Sequence, residues 1–332
     1  MAITLADAKV GMADKVDQQV VDMFRRSSLL LDSLTFDNAI SPGTGGSTLA
    51  YGYIQLKTPS TAAVRAINSE YTAGEAIREE KTAKAVIMGG SFKVDRVIQN
   101  TSGAVDELAF QAEQKVIATS NYFHNLVING SSATAADGTR VINTFDGLDK
   151  TLTDASTEVD SATDLSTSAL MDTNANAFLD EVDEWLSLMD GTPDMLLMNT
   201  KMLAKFRGIA RRAGYYGRSR DEFGRVVETY NGITLMDAGH YYNGSATVDT
   251  IATTANTSAT GKTDIYAVQF GLDAFHGISP TGTGVISSYM PDLTEPGAVK
   301  TGEVELVAGA VLKNTLKAGV LRGVAITPKV GA

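Results

Sequence analysis

Cysteine is absent from the 332 residues, which excludes disulfides, thiolate metal sites and cysteine nucleophiles. The absence fits synthesis in a reducing cytoplasm. Histidine is scarce, with only His124, His240 and His276, so a zinc centre would have to lean on carboxylates, an uncommon arrangement. Basic residues are in the minority: 28 Lys and Arg face 39 Asp and Glu, giving a formal net charge of -11. Nucleic-acid binders need the opposite balance, because phosphate contacts are made by cations. Long apolar runs are also missing. Stretches such as Val307 to Leu312 fall far short of the ~20 residues that a membrane-spanning helix requires. Met1 to Val10 contains Asp7 and lacks the basic start and apolar block of a signal peptide, so none is expected.

The known chemical signatures are missing too. Gly43 to Gly46 and Gly89-Gly90 do not have the spacing of a phosphate-binding turn, and read as loop or bulge. No Gly-x-Ser-x-Gly elbow and no His-Glu-x-x-His motif occurs. Carboxylate pairs such as Glu79-Glu80 and Asp180-Glu181 are neighbours in sequence, so on a helix they do not face each other and read as solvated. His124 falls near the end of a predicted helix, where a packing or capping role suits it, since cations sit well at helix C-termini.

A core is nevertheless affordable. Apolar residues make up 43% and charged residues 20%, values of a folded globular chain. Val16, Val20, Met23, Phe24, Leu30, Leu31 and Leu34 recur at helical spacing, before a break at Ser41 to Ser47. Leu49 to Lys57 and Lys81 to Val97 read as two strands flanking a polar stretch, an extended excursion with a charged tip. Such a hairpin buries little by itself and is expected to pack on another chain. Val105, Leu108, Ala112, Val116, Phe123 and Leu126 mark one face of a helix from Gly103 to Asn129, with Asn129-Gly130 as its stop. At about 1.5 Å per residue this helix spans roughly 35 to 40 Å.

A loop follows from Ser131 to Gly138, closed by Phe145-Asp146-Gly147-Leu148, and Thr151 to Thr173 reads as a polar surface loop. Helices are expected at Ala175 to Met189 and Thr200 to Ala213, and a short buried strand at Asp194 to Met198. Gly214 to Arg225 reads as a mobile basic loop. Val226 to Met236 should hold two strands turning at Asn231-Gly232. Ile265 to Phe270 is a further strand, and Val304 to Ile326 is β-rich. The concentration of Arg207, Arg211, Arg212, Arg218, Arg220 and Arg225 beside Tyr215 and Tyr216 points to an interface, where Arg and Tyr are enriched.

This succession resembles the tailed-bacteriophage major capsid family with the Hong Kong 97-type fold, an α+β architecture. Residues 1–48 resemble the N-terminal arm, 49–92 the extended E-loop with its tip near Thr72 to Thr82, and 93–148 the peripheral domain. The long helix of 103–129 matches the spine helix of that domain. Residues 149–281 resemble the axial domain, and 282–332 the strands that return to the periphery. The order helix, Asn129-Gly130, loop, Gly147-Leu148 is the most specific local mark.

The resemblance implies a non-enzymatic subunit without cofactor or metal that assembles with itself into hexamers and pentamers around double-stranded DNA. It further implies a virion location, assembly in the bacterial cytoplasm, and a portal. Because the arm begins at once, a separate scaffolding protein is expected, and a decoration or cement protein is compatible. The packaged DNA would be touched only weakly and without sequence preference. Contacts between copies are expected at Lys57, Arg65, Glu70, Arg78 and Lys81 of the excursion. They are also expected at Arg211, Arg212, Tyr215, Tyr216, Arg218 and Arg220 of the basic segment. An encapsulin-type nanocompartment shell, of the same fold with an enzyme cargo, is the alternative.

Overall fold

The computed structural model describes residues 29–38, 49–101, 107–132, 144–213, 217–220, 226–254, 259–279, 286–294 and 296–329. The chain begins with a short helix α1 (Leu29–Ser33) and strand β1 (Phe36–Asn38). Strands β2 (Ala50–Thr58), β3 (Ile77–Lys84) and β4 (Val86–Asp95) follow, then helices α2 (Arg96–Thr101), α3 (Glu107–Asn129) and α4 (Leu148–Leu152). Strand β5 (Glu158–Asp160), helix α5 (Ser168–Ser187), strand β6 (Met195–Met198) and helix α6 (Thr200–Ala213) come next. The rest is mainly β: β7 (Gly217–Arg220), β8 (Val226–Tyr230), β9 (Ile233–Asp237), β10 (His240–Tyr242), β11 (Thr247–Asp249), β12 (Gly261–Val268), β13 (Phe275–Ser279), β14 (Ile286–Tyr289), β15 (Val299–Leu312) and β16 (Ala318–Thr327).

Two large sheets organise these elements. In the first, β15 is the common partner: it pairs with β4 along Val299 to Ala308, with β14 along Glu303 to Leu306, and with β13 along Gly309 to Leu312. β1 adds to β13 in parallel. β4 alternates as a half-buried strand must, with Val86, Met88, Phe92 and Val94 inward and Ile87 outward. Helix α3 lies across this sheet through Ala112, Val116, Phe123 and Leu126, the face its spacing predicts. Its Leu108 is partly buried, while Val105 lies outside the described residues.

The second sheet has seven strands in the order β5-β16-β12-β6-β9-β8-β7. It separates two apolar cores. Met195 and Leu197 of β6 point into the core shared with α3, whereas Leu196 and Met198 point into the core under α5 and α6. Burial on both faces explains the unbroken apolar run Met195 to Met198. The two covering helices start on side-chain caps: Thr167 Oγ1 accepts from Leu170 N at 3.2 Å, and Asn199 Oδ1 accepts from Met202 N at 2.7 Å.

The mark from Asn129-Gly130 to Gly147-Leu148 has a steric cause. Gly130 N donates to Leu126 O at the helix end, and Gly147 N donates to Gly130 O at 2.8 Å. A Cβ on Gly130 would lie 2.4 Å from Phe145 O, and one on Gly147 would lie 2.5 Å from Ile128 O. The returning chain therefore passes so close to the helix end that neither position has room for a side chain.

Three expectations fail in detail. The polar stretch Thr151 to Thr173 is not one loop, because Leu152 and Leu165 are fully buried and anchor α4, β5 and the start of α5. The span Lys81 to Val97 is not one strand: at Ala85 the chain leaves β2 and pairs with β15 instead. The excursion's tip is accordingly 59–76, while Ile77 to Thr82 belong to β3. The loop Gly214 to Arg225 contains β7, whose backbone is recruited by β8. The β-rich C-terminal region divides, with β14 and β15 in the first sheet and β16 between β5 and β12 in the second.

His124 also behaves otherwise than a capping cation. It is half-buried, and desolvation lowers its pKa from 6.5 to about 4, so it is neutral at pH 7. The unfolded chain binds this proton more readily than the folded one. The contribution is therefore complete above pH 6.5 and is lost as pH falls from 6.5 through 4. Relative to His124→Gln, the wild-type subunit should lose about 2 to 3 kcal/mol more between pH 7.5 and 4.5. Urea unfolding of unassembled subunits at the two pH values checks this, and parallel losses in both proteins would refute it.

Candidate assembly interface

Strands β2 and β3 form a two-stranded sheet apart from both large sheets. Its root is fastened. Tyr51 Oη donates to Asp37 at 2.9 Å, and the Lys313 ammonium lies 5.1 Å from the Tyr51 ring centre. His276, fully buried, meets the same ring edge-on at 5.9 Å, and burial lowers its pKa. Tyr53 Oη and Gln55 Nε2 donate to the carbonyls of Leu312 and Lys313. A cavity of about 350 Å³ opens beside this root, lined by Tyr53, Gln55, Lys81, Lys84, Asp146 and Lys150. Asp146 is held there below its ordinary pKa: burial opposes this, but hydrogen bonds from Lys150 and Ser132 outweigh it.

The outer half is a different surface. Ile54 is 69% exposed, Val64 101% and Ile67 91%; Leu56, Tyr71 and Ile77 are also open to solvent. Scattered single apolar residues on a surface are ordinary, but six on one narrow excursion form a surface that water leaves unsatisfied. What order the tip has is local. Ser69 N donates to Ala66 O, Arg65 Nη1 donates to Ser69 O at 3.2 Å, and the Arg65 guanidinium stands 5.4 Å from the Tyr71 ring centre.

The expected contact residues thus fall into two groups that the fold does not unite. Lys57, Arg65, Glu70, Arg78 and Lys81 are all exposed on the excursion; Lys57 pairs with Glu79 across the strands at 3.5 Å, and Lys81 lines the cavity. Arg211 and Arg212 close α6. Arg212 is engaged within the chain, with Nε 2.6 Å from Asp172 Oδ1, whereas Arg211 Nε reaches only the Arg207 carbonyl, at 3.4 Å. Arg218 and Arg220 sit on β7, the last strand of the seven-stranded sheet. Tyr215 and Tyr216 lie outside the described residues.

The sequence reading missed Arg322, which joins elements distant along the chain. Its guanidinium contacts the carboxylates of Asp149, Glu158 and Asp264, and Tyr266 Oη donates to Asp149 at 3.0 Å. Burial alone would lower the Arg322 pKa, but hydrogen bonds to Asp149 and Glu158 raise it, while burial and Asp149 raise that of Tyr266. No spacing in the sequence signals this cluster, because α4, β5, β12 and β16 converge only in the fold. Among the described residues, no group of three or more His, Asp or Glu side chains could hold a metal ion, and no helix is long and apolar enough to cross a membrane.

The whole architecture has counterparts among solved structures. The holo-SrpI encapsulin complex from Synechococcus elongatus PCC 7942 superposes with a TM-score of 0.59 at 14% identity, over 98% of this chain and 97% of that one. The capsid of Myoviridae Phage XM1 gives 0.53 at 13% identity, over 97% and 96%. Mycobacterium phage Ogopogo gives 0.53 at 13% identity, over 97% and 99%. Identities this low establish the fold, which is of the Hong Kong 97 type, and not more. No curated protein matches the sequence. The SU10 major capsid protein model matches residues 33–234, from β1 and its preceding helix through the excursion, α3 and the α5–α6 layer to β9, and the chain belongs to that family of major capsid proteins.

Proposed function

We propose that copies of this chain close into an icosahedral shell of hexamers and pentamers around phage double-stranded DNA, with no enzymatic step. The observation that carries the reading is the excursion: its root is bonded to the body, and it exposes six large apolar side chains that no other described residue covers. A second copy can cover them. In this reading 49–92 is the E-loop, 93–148 and 282–332 the peripheral domain and 149–281 the axial domain, while the arm expected at 1–48 lies outside the described residues except for 29–38. Each contact is modest, but a closed lattice engages many at once, so small affinities multiply.

Assembly takes place in the bacterial cytoplasm with a separate scaffolding protein and a portal, and a decoration protein can join later. The net charge of -11 favours a wall that holds packaged DNA only weakly. Electron microscopy of the chain expressed with and without a scaffolding protein tests the reading. Closed shells are expected. Monomers under both conditions would overturn it. The likeness to the SrpI encapsulin complex favours one other reading, a nanocompartment. Particles purified from infected cells distinguish the two, since the capsid reading requires DNA inside and the nanocompartment requires protein cargo.

A further inference from the structure

The excursion is fastened against a buried side chain whose bonding capacity is unused. His276 is fully buried on β13, and neither ring nitrogen has a hydrogen-bond partner among the described residues. Buried polar atoms are nearly always bonded, so two open nitrogens on one ring call for a reason. The Ala274 carbonyl beside it already accepts from Lys313 N at 3.1 Å. The ring instead meets Tyr51 edge-on, with centroids 5.9 Å apart and planes at 75°. Tyr51 is also the residue that fastens β2: its hydroxyl donates to Asp37 on β1, and the Lys313 ammonium stands over its ring. Next to this contact is Val311, the register partner of His276. With Ala85 and Ile278 it forms a small apolar cluster, covered by Tyr51, Tyr53 and Ala83 and separate from both large cores.

The charged and titratable groups around the ring come from four segments: Tyr51 on β2, Asp37 on β1, Asp273 in the turn before β13, and Lys313 just beyond β15. Burial and the Lys313 ammonium oppose a proton on the ring. They outweigh the pull of the Ala274 carbonyl, Asp37 and Asp273, so the pKa lies below 6.5. Lifting Tyr51 admits water to the ring and returns it toward its ordinary value. The lifted root therefore binds the proton more tightly than the fastened one. The neutral ring's contribution to fastening is complete above pH 6.5, and it is lost as pH falls from 6.5 through the lowered value.

We propose that His276 is a proton-operated latch: neutral, it seats Tyr51 and fastens the excursion; protonated, it releases the root while the two cores stay folded. The inference goes beyond the shell reading, because it concerns the single subunit and holds with or without assembly. The physical basis is a difference in solvation between two positions of one limb. A buried cation beside the Lys313 ammonium is costly, and the small cluster around Val311 offers little apolar area to hold the root down against that cost. The open nitrogens are thus the sign of a site that gains its partners, from water, only when the limb lifts.

Because the chain has no cysteine, one introduced thiol can report the opening. Ala85→Cys places it in the covered cluster, where Ala85 is 4% exposed; Ala210→Cys, at an equally buried position on α6, reports unfolding of the body. Unassembled full-length subunits are labelled with a pyridyl disulfide reagent, and each rate is divided by that of an unstructured cysteine peptide at the same pH. From pH 7.5 to 5.5 the A85C rate should rise about five- to tenfold, since one unit below 6.5 sets a ceiling near tenfold. At pH 5.5 it should exceed the A210C rate about tenfold or more, as local opening requires. His276→Phe, which keeps an aromatic edge but takes no proton, should hold the A85C rise below about twofold. Far-ultraviolet circular dichroism checks that each variant is folded, and His276→Gln is read in the same way if the phenylalanine variant is not. An A85C rate that is unchanged by acid, a rise that H276F retains, or labelling no faster than at A210C would overturn the latch.

Discussion

A chain in which residues 59–76 are replaced by Asn-Gly should fold and remain unassembled. Thr58 and Ile77 are register partners at the ends of β2 and β3, so a two-residue type I′ turn closes the shortened hairpin without disturbing its root. The root contacts Tyr51–Asp37, Gln55–Lys313 and Tyr53–Leu312 all remain. The deleted stretch contributes no residue to either large core, so subunit stability should change by less than about 1 kcal/mol. Assembly should be abolished, because Val64, Ile67 and Tyr71 supply exposed apolar surface for a neighbour to bury. Urea unfolding of the subunit and electron microscopy after addition of scaffolding protein read the two properties separately. Intact shells from the shortened chain would remove the excursion from the assembly contact.

Trp185→Ala should do the reverse, damaging the subunit before any assembly is attempted. The indole is 1% exposed and its Nε1 donates to Thr157 O at 3.1 Å. It fills the space above Gly319, where a Cβ would come within 3.1 Å of the indole nitrogen. One side chain thereby holds α5 against both β5 and β16. Truncation removes its apolar burial, opens a cavity that the flanking strands cannot close, and leaves the hydrogen bond unmade. The expected loss is about 3 to 5 kcal/mol, against a usual total of roughly 5 to 15. Chemical denaturation of unassembled subunits would show it as a shifted midpoint. A loss under about 1 kcal/mol would mean that the α5 layer does not depend on this contact.

The two variants separate properties that were unequally legible in the sequence. Local periodicity carried the helices: Ala112, Val116, Phe123 and Leu126 lie inward as spaced, and α6 spans Thr200–Ala213 as expected. The hairpin at Asn231-Gly232 was equally plain, since Asn231 and Gly232 both adopt the positive φ that such a turn demands. Composition misled wherever tertiary partners outweighed it. Ser, Thr and Asp between Thr151 and Thr173 suggested a loop, yet Leu152 and Leu165 are fully buried, and Thr167 serves as a helix cap. Glycine and arginine at Gly217–Arg220 suggested the same, but β8 offered an open edge with which that backbone pairs.

The candidate contacts were legible only as residue types. Arg211 and Arg212 are neighbours of identical chemistry, yet one is exposed without an ion pair among the described residues and the other bonds Asp172, forty positions upstream. That distinction depends on which way α6 is rolled against α5, a packing outcome without any local signal. The Arg322 cluster is another such case, since Asp149, Glu158 and Asp264 meet it only because β16 lies between β5 and β12.

By itself, then, the sequence determined the inward faces of α3 and α6, the turn at Asn231, the excursion as an extended limb, and the absence of thiol chemistry. These depend on covalent identity and on spacings of two to four residues, and local forces act at that range. Only the tertiary structure decided which strands pair, where the excursion is fastened, and which flank each charge occupies. Those follow from contacts between residues as much as 259 positions apart, such as Tyr53 and Leu312, whose meeting is fixed by the packing of two cores and not by the order of neighbours along the chain.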